Sequence, residues 1–187
     1  MKTVNPMKLK KYALLALITV LLTISESWGV NFKFTLLNST AVAQTVNNRK
    51  AEADRLFEQG NKQYRISQFQ QALQSWQQSL AIYREIGDRS GIANSLNNLG
   101  IAYDSLGDYR KAIDYYQQSL SIFKKIGNPK GIANSLINLG NAYANLGDYR
   151  KAIDYYEQSL KIDKEIGNPK GIAKSLNNLG LAYDSVG

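Results

Sequence analysis

The sequence predicts an all-α solenoid built from antiparallel helix pairs, and three observations carry that expectation. The 40 residues 91–130 recur as 131–170 with 32 positions identical and eight changed. A further copy opens at Gly171, and a more divergent one runs through residues 53–92. A fixed period in this range marks units that bury their apolar faces only against their neighbours. Within each unit apolar residues recur at spacings of three and four, the period of a helix. Between the apolar stretches fall Gly-Asp and Gly-Asn-Pro steps, which stop one helix and start the next.

Taken in order, the chain opens with a leader. Lys8, Lys10 and Lys11 precede an apolar run over residues 13–24, a positive segment and a hydrophobic segment of signal-peptide length, too short for an ordinary membrane span. Ala41-Val42-Ala43 supplies a small-x-small cleavage pattern, so residues 1–43 read as a signal peptide and Gln44 as the mature N-terminus. Residues 25–40 separate the apolar run from that site by more than is usual. Ser25-Glu26-Ser27 is an earlier cleavage candidate, and an uncleaved N-terminal anchor is the alternative to export to the periplasm or the exterior. Residues 44–52 read as a polar linker, with a first helix pair over 51–66 and 69–86. The repeat domain is expected over 53–187, as units 53–92, 93–132 and 133–172 and a partial unit 173–187.

In the second unit, Ile92, Leu96, Leu99, Tyr103 and Leu106 form one helical stripe. Gly107 suits the left-handed cap conformation, and Asp108 is a good N-cap for the following helix. That helix carries Tyr109, Ala112, Ile113, Tyr116, Leu120, Phe123 and Ile126 on its inner side. Gly127 closes it, and Asn128-Pro129 opens the next unit as N-cap and first-turn proline. The short turn makes the two helices antiparallel neighbours. In the last helix Ile172, Leu176, Leu179, Tyr183 and Val186 keep the packing pattern with no polar change. The expectation is that this end either continues into a further helix, frays, or pairs with another copy.

Composition narrows the function. Cysteine and histidine are both absent, which removes thiolate chemistry, the usual general base near neutral pH and the commonest zinc ligand. No enzyme activity, metal or cofactor is expected. The formal charge is +8, and half of the excess lies in residues 1–43. The remainder is scattered, whereas nucleic-acid binders concentrate positive charge on one face. No nucleic-acid partner is expected, nor a membrane for the mature chain. Gly127-Asn-Pro-Lys-Gly131 lacks phosphate-loop spacing and reads as the inter-repeat turn.

Leu96-x2-Leu99-Gly100-x2-Tyr103 followed by Ala112-x3-Tyr116 resembles the tetratricopeptide repeat, with Leu96 where that pattern often has tryptophan. Leu136, Leu139, Gly140, Tyr143, Ala152 and Tyr156 repeat the match, and Gly60, Ala72 and Trp76 echo it upstream. The longer period resembles the kinesin-light-chain-like variety. The resemblance implies a right-handed superhelical solenoid, here three units plus one unpaired helix, whose first helices line the concave side. Residues 51–79 also resemble the opening of exported cyanobacterial tetratricopeptide proteins. Many of those end in a caspase-like CHAT domain, whose His and Cys this chain lacks.

The two near-identical units show which positions vary. Four of the eight differences lie in the first helix: Asn97/Ile137, Ile101/Asn141, Asp104/Ala144 and Ser105/Asn145. At about 100° per residue these four point to one side, opposite the apolar stripe. Gln117/Glu157, Ser121/Lys161 and Lys125/Glu165 form a second variable stripe on the second helix, and Phe123/Asp163 falls outside it. The resemblance makes the first stripe the groove. Asn98, Asn138 and Asn178 edge it at 40-residue intervals, with Asn94 and Asn134 one turn earlier and Lys174, Asn177 and Leu181 continuing it on the last helix. An Asn amide donates and accepts, so a ladder of them suits an extended peptide backbone. It is similar to the asparagine ladder of O-linked N-acetylglucosamine transferase. The expectation is an adaptor for a protein or peptide partner. The alternatives are solvated asparagines inherited with a duplicated repeat, a scaffold that self-associates through its ends, and the regulatory arm of a larger enzyme.

Overall fold

The computed structural model describes residues 32–186. The basic segment and apolar run of the leader lie outside the described residues, as does Gly187. Seven α-helices follow one another, with no strand among the described residues: α1 Phe32–Arg65, α2 Phe69–Ile86, α3 Arg89–Ser105, α4 Tyr109–Lys125, α5 Pro129–Asn145, α6 Tyr149–Glu165 and α7 Pro169–Val186. The chain divides into two compact units, 1–47 and 48–187. The second holds the repeats.

Punctuation residues act where the sequence places them. Asp88 and Asn128 each accept a hydrogen bond from the backbone N–H three residues on, Gly91 and Gly131, both at 2.9 Å. Asp108 and Asp148 do the same for Lys111 and Lys151 at 3.2 Å. Each bond satisfies one of the free donors of a helix start. Gly107 takes φ 80°, a left-handed conformation that closes the turn between α3 and α4. The exception is the α1–α2 turn, where Ser67 adopts φ 61° and Gln68 makes no capping bond. Replacing Asn128 with alanine is expected to lower stability by about 1 kcal/mol, read as a lower urea midpoint at unchanged helix content.

Consecutive helices α2 to α7 pack against one another, and the first helices α3, α5 and α7 also touch in succession. The core is a chain of small clusters, one per junction. Ala72, Leu73, Trp76, Leu80, Leu96, Leu99 and Ala102 form one, and Ala112, Ile113, Tyr116, Leu139 and Ala142 the next. Small residues set the spacing: the ring of Tyr116 lies against the Cα of Gly100, and that of Trp76 against Gly60. Buried serines tie each pair. Ser79, Ser119 and Ser159 donate to the carbonyls of Ala53, Ala93 and Ala133 at 3.0, 2.9 and 3.0 Å. Tyr103 stacks on Tyr115 at 5.4 Å with the Lys111 ammonium 4.2 Å from the Tyr103 ring, and Tyr143, Tyr155 and Lys151 repeat the arrangement.

Two expectations are corrected here. Residues 44–52, read as a linker, are helical and belong to α1, which also contains Ala41-Val42-Ala43. Their polar side chains carry tertiary bonds: Arg49 pairs with Glu85, and Lys50 with Asp88 at 2.7 Å. Leu106 and Leu146, assigned to the buried stripe, are exposed, because each stands one residue past its helix, at the C-cap. In α7, Leu176, Tyr183 and Val186 are exposed, while Leu179 is buried.

Candidate functional site

Most of the variable residues of the first helices line three depressions. Asn98 and Ile101 share the first with Glu58, Asn61, Tyr64, Arg65 and Trp76. Asn94, Asn97 and Asn134 share the second with Phe123, Asn128 and Lys130. Asp104, Asn141, Asn145, Asn178 and Leu181 line the third, a cavity of about 360 Å³, with Tyr149, Tyr156 and Ser185.

The asparagine ladder is tied sideways. Asn98 donates to Asn61 Oδ1 at 2.9 Å, Asn138 to Asn97 Oδ1 at 3.0 Å and Asn178 to Asn141 Oδ1 at 3.0 Å. Each rung thus grips the first helix of the preceding repeat. That bond uses one N–H of each rung and leaves its second N–H and its carbonyl oxygen for other partners. The ladder therefore does structural duty as well, a role the sequence did not show. A second row runs beside it: Tyr64 and Ser105 share a hydrogen bond at 2.8 Å, and Asn145 donates to Asp104 at 3.0 Å.

Not every predicted groove residue is available. Ile137 is buried, 1% exposed, although its counterpart Asn97 is only half-buried. Its side chain therefore belongs to the packing and not to the groove. Asn94, Asn134, Lys174, Asn177 and Leu181 are exposed. Tyr64, Tyr149 and Tyr156 line the depressions and are missing from the sequence-based set. Tyr149 and Tyr156 come from the second helix of a pair, and a helical projection of the first helix alone cannot reveal them.

Electrostatics centre on Asp104. Burial holds its carboxyl above the ordinary range, opposed by the bond from Asn145. Burial, helped by the Asp104 charge, pushes the Tyr156 hydroxyl up to about 12, so it remains a donor at neutral pH, here to Asn141 Oδ1 at 2.9 Å. Among the described residues no three His, Cys, Asp or Glu side chains gather where they could hold a metal ion. No described helix is long and apolar enough to cross a membrane.

The family model described as "Tetratricopeptide repeat" matches residues 63–125 and 131–187, more than half of the chain. The chain belongs to the tetratricopeptide repeat family. Its repeats are thus protein–protein interaction modules, and no enzyme family is indicated. Among curated proteins none matches the sequence. Solved tetratricopeptide structures share the fold. BtubC (BKLC) from P. vanneervenii is 21% identical with a TM-score of 0.66, over 72% of this chain and 56% of that one. The tetratricopeptide domain of Arabidopsis FLU is 24% identical with a TM-score of 0.58, over 60% and 95%. The yeast Sti1 TPR2AB domain, solved as a complex with pHSP90, is 27% identical with a TM-score of 0.61, over 73% and 48%. The chain spans about half the length of BtubC and of the Sti1 structure.

Proposed function

We propose that this tetratricopeptide protein is an exported adaptor that holds an extended peptide segment of a partner protein along the face of its first helices. One observation carries the reading: Asn98, Asn138 and Asn178 recur at 40-residue intervals, each oriented by a hydrogen bond to the preceding repeat. Pre-oriented amides lose little freedom on binding, so the free N–H and carbonyl of each rung can pair with peptide backbone at low entropic cost. The yeast Sti1 domain, similar in fold and captured with pHSP90, supports a partner of this class.

The test is a peptide-array screen followed by titration of any hit. Replacing Asn98, Asn138 and Asn178 together with alanine is expected to weaken binding by about 1 kcal/mol per lost contact, roughly fivefold each. The inter-repeat bonds go too, so the urea midpoint should also fall. Affinity is therefore read without urea, with circular dichroism showing that the triple variant is folded, which separates the two effects. Affinity unchanged in the triple variant would leave the ladder with its structural role alone.

Export rests on Lys8–Lys11, residues 13–24 and Ala41-Val42-Ala43. N-terminal sequencing of the secreted or periplasmic protein should give Gln44 as the first residue; intact protein found only in the cytosol would remove this part of the reading. A second reading, self-association, is favoured by α7, where Leu176, Leu181, Tyr183 and Val186 are 51, 62, 53 and 44% exposed. A strictly monomeric mass in solution would count against it.

A further inference from the structure

Asp104 stands apart from the other partly buried carboxylates of the repeats. Asp88 has the Lys50 ammonium at 2.7 Å and a backbone donor besides. Asp104 has one neutral donor, Asn145, and among the described residues no cationic side chain lies within ion-pair distance of it. Its charge is half-buried at the wall of the cavity of about 360 Å³ lined by α3, α5, α6 and α7. The other polar groups there are neutral, so none of them balances the Asp104 charge. Asn141 Oδ1 takes both Asn178 and Tyr156, and the Ser185 hydroxyl proton is spent on the Leu181 carbonyl at 2.8 Å. Leu181 and Tyr149 supply apolar wall. At the position of Asp104 the next repeat has Ala144, which leaves room and adds no second carboxylate.

An apolar occupant would strip water from Asp104 and offer nothing in return, and an acidic one would add repulsion. A long aliphatic stem with a cationic head satisfies both parts of the cavity. We propose that this cavity is a subsite for a lysine or arginine side chain of the bound peptide, with Asp104 pairing the head and Leu181 and Tyr149 flanking the stem. The proposal rests on the groove-binding reading and adds to it a residue preference.

The experiment uses the full chain and three fluorescein-labelled pools of capped nonapeptides of Ala, Ser and Gly. The pools differ only at one central residue: lysine, norleucine or glutamate. By fluorescence anisotropy the lysine pool is expected to bind about tenfold tighter than the norleucine pool, as one partly shielded charge-assisted bond warrants. That ratio should shrink as salt rises. Asp104→Asn, which is nearly isosteric, should bring the ratio to about twofold or below. Asp104→Lys should turn the preference toward glutamate, and circular dichroism checks that both variants fold. Equal binding of the three pools to the unaltered chain, or a ratio that survives Asp104→Asn, overturns the subsite while leaving groove binding intact. Failure of every pool to bind at millimolar concentration overturns the subsite and the groove reading together.

Discussion

Gly100→Leu is expected to destabilise the repeats by roughly 3 kcal/mol, at the upper end of what overpacking costs, with a matching drop in urea midpoint. A Cβ built at Gly100 falls 2.5 Å from Cε1 of Tyr116, a ring that is 1% exposed and closed in by Leu139 and Ala142. The ring cannot swing into solvent, so α3 and α4 must separate. That loss is a large part of a domain's total stability of about 5–15 kcal/mol. The molecule holds its own control. Gly180 occupies the same repeat position in α7, but nothing lies within 4 Å of where its Cβ would be. Gly180→Ala should therefore gain roughly 0.5–1 kcal/mol, the usual benefit of alanine within a helix. Equal midpoints for Gly100→Leu and the unaltered chain would contradict the close approach of the two helices.

The repeat frame was legible because its signals are local. Asp88, Asp108, Asn128 and Asp148 announce helix starts, and a helical projection finds Leu96, Leu99 and Ala112 without knowing what they touch. Signals that depend on partners distant in the chain were not legible. Residues 44–52 look like linker because they lack apolar periodicity. They are helical in a molecule where Arg49 and Lys50 find Glu85 and Asp88, 36 and 38 residues away. Ile137 was misplaced for a related reason. A helical projection divides a helix into one buried and one open side, whereas a first helix in a solenoid touches its own second helix and the first helices of both neighbouring repeats. Asn97, at the same repeat position, accepts from Asn138 of the next first helix, so a neighbour stands there, and the apolar Ile137 is covered. The asparagine ladder was found by its spacing, but its sideways bonds to Asn61, Asn97 and Asn141 could not be read from any single repeat.

Asp163→Phe is expected to stabilise the chain by about 2 kcal/mol, the order of burying one large apolar side chain. Asp163 is the one change between the two near-identical units that puts a carboxylate at an inner position. It is 1% exposed, packed on Gly171 as Phe123 packs on Gly131 and Tyr83 on Gly91. Its partners are neutral: Asn168 donates to Oδ1 at 2.8 Å, the Ser159 hydroxyl, 3.4 Å from Oδ2, shares its one proton with the Ala133 carbonyl at 3.0 Å, and no cation pairs with it among the described residues. One full hydrogen bond and one shared one offset only part of the cost of removing a carboxylate from water, and replacing buried ionic groups with apolar ones of suitable shape is often stabilising. The volume is available, since Phe123 sits at the matching junction with 3% exposure. The reverse change, Phe123→Asp, should cost about 4 kcal/mol, because it removes a buried ring and leaves a charge in its place. Ser119 and Asn128 stand where Ser159 and Asn168 stand, but Asn128 already caps α5 through Gly131. Thermal and urea midpoints of the two variants decide the matter. A less stable Asp163→Phe would mean that the bonds from Asn168 and Ser159 hold the α6–α7 junction more firmly than a phenyl ring can.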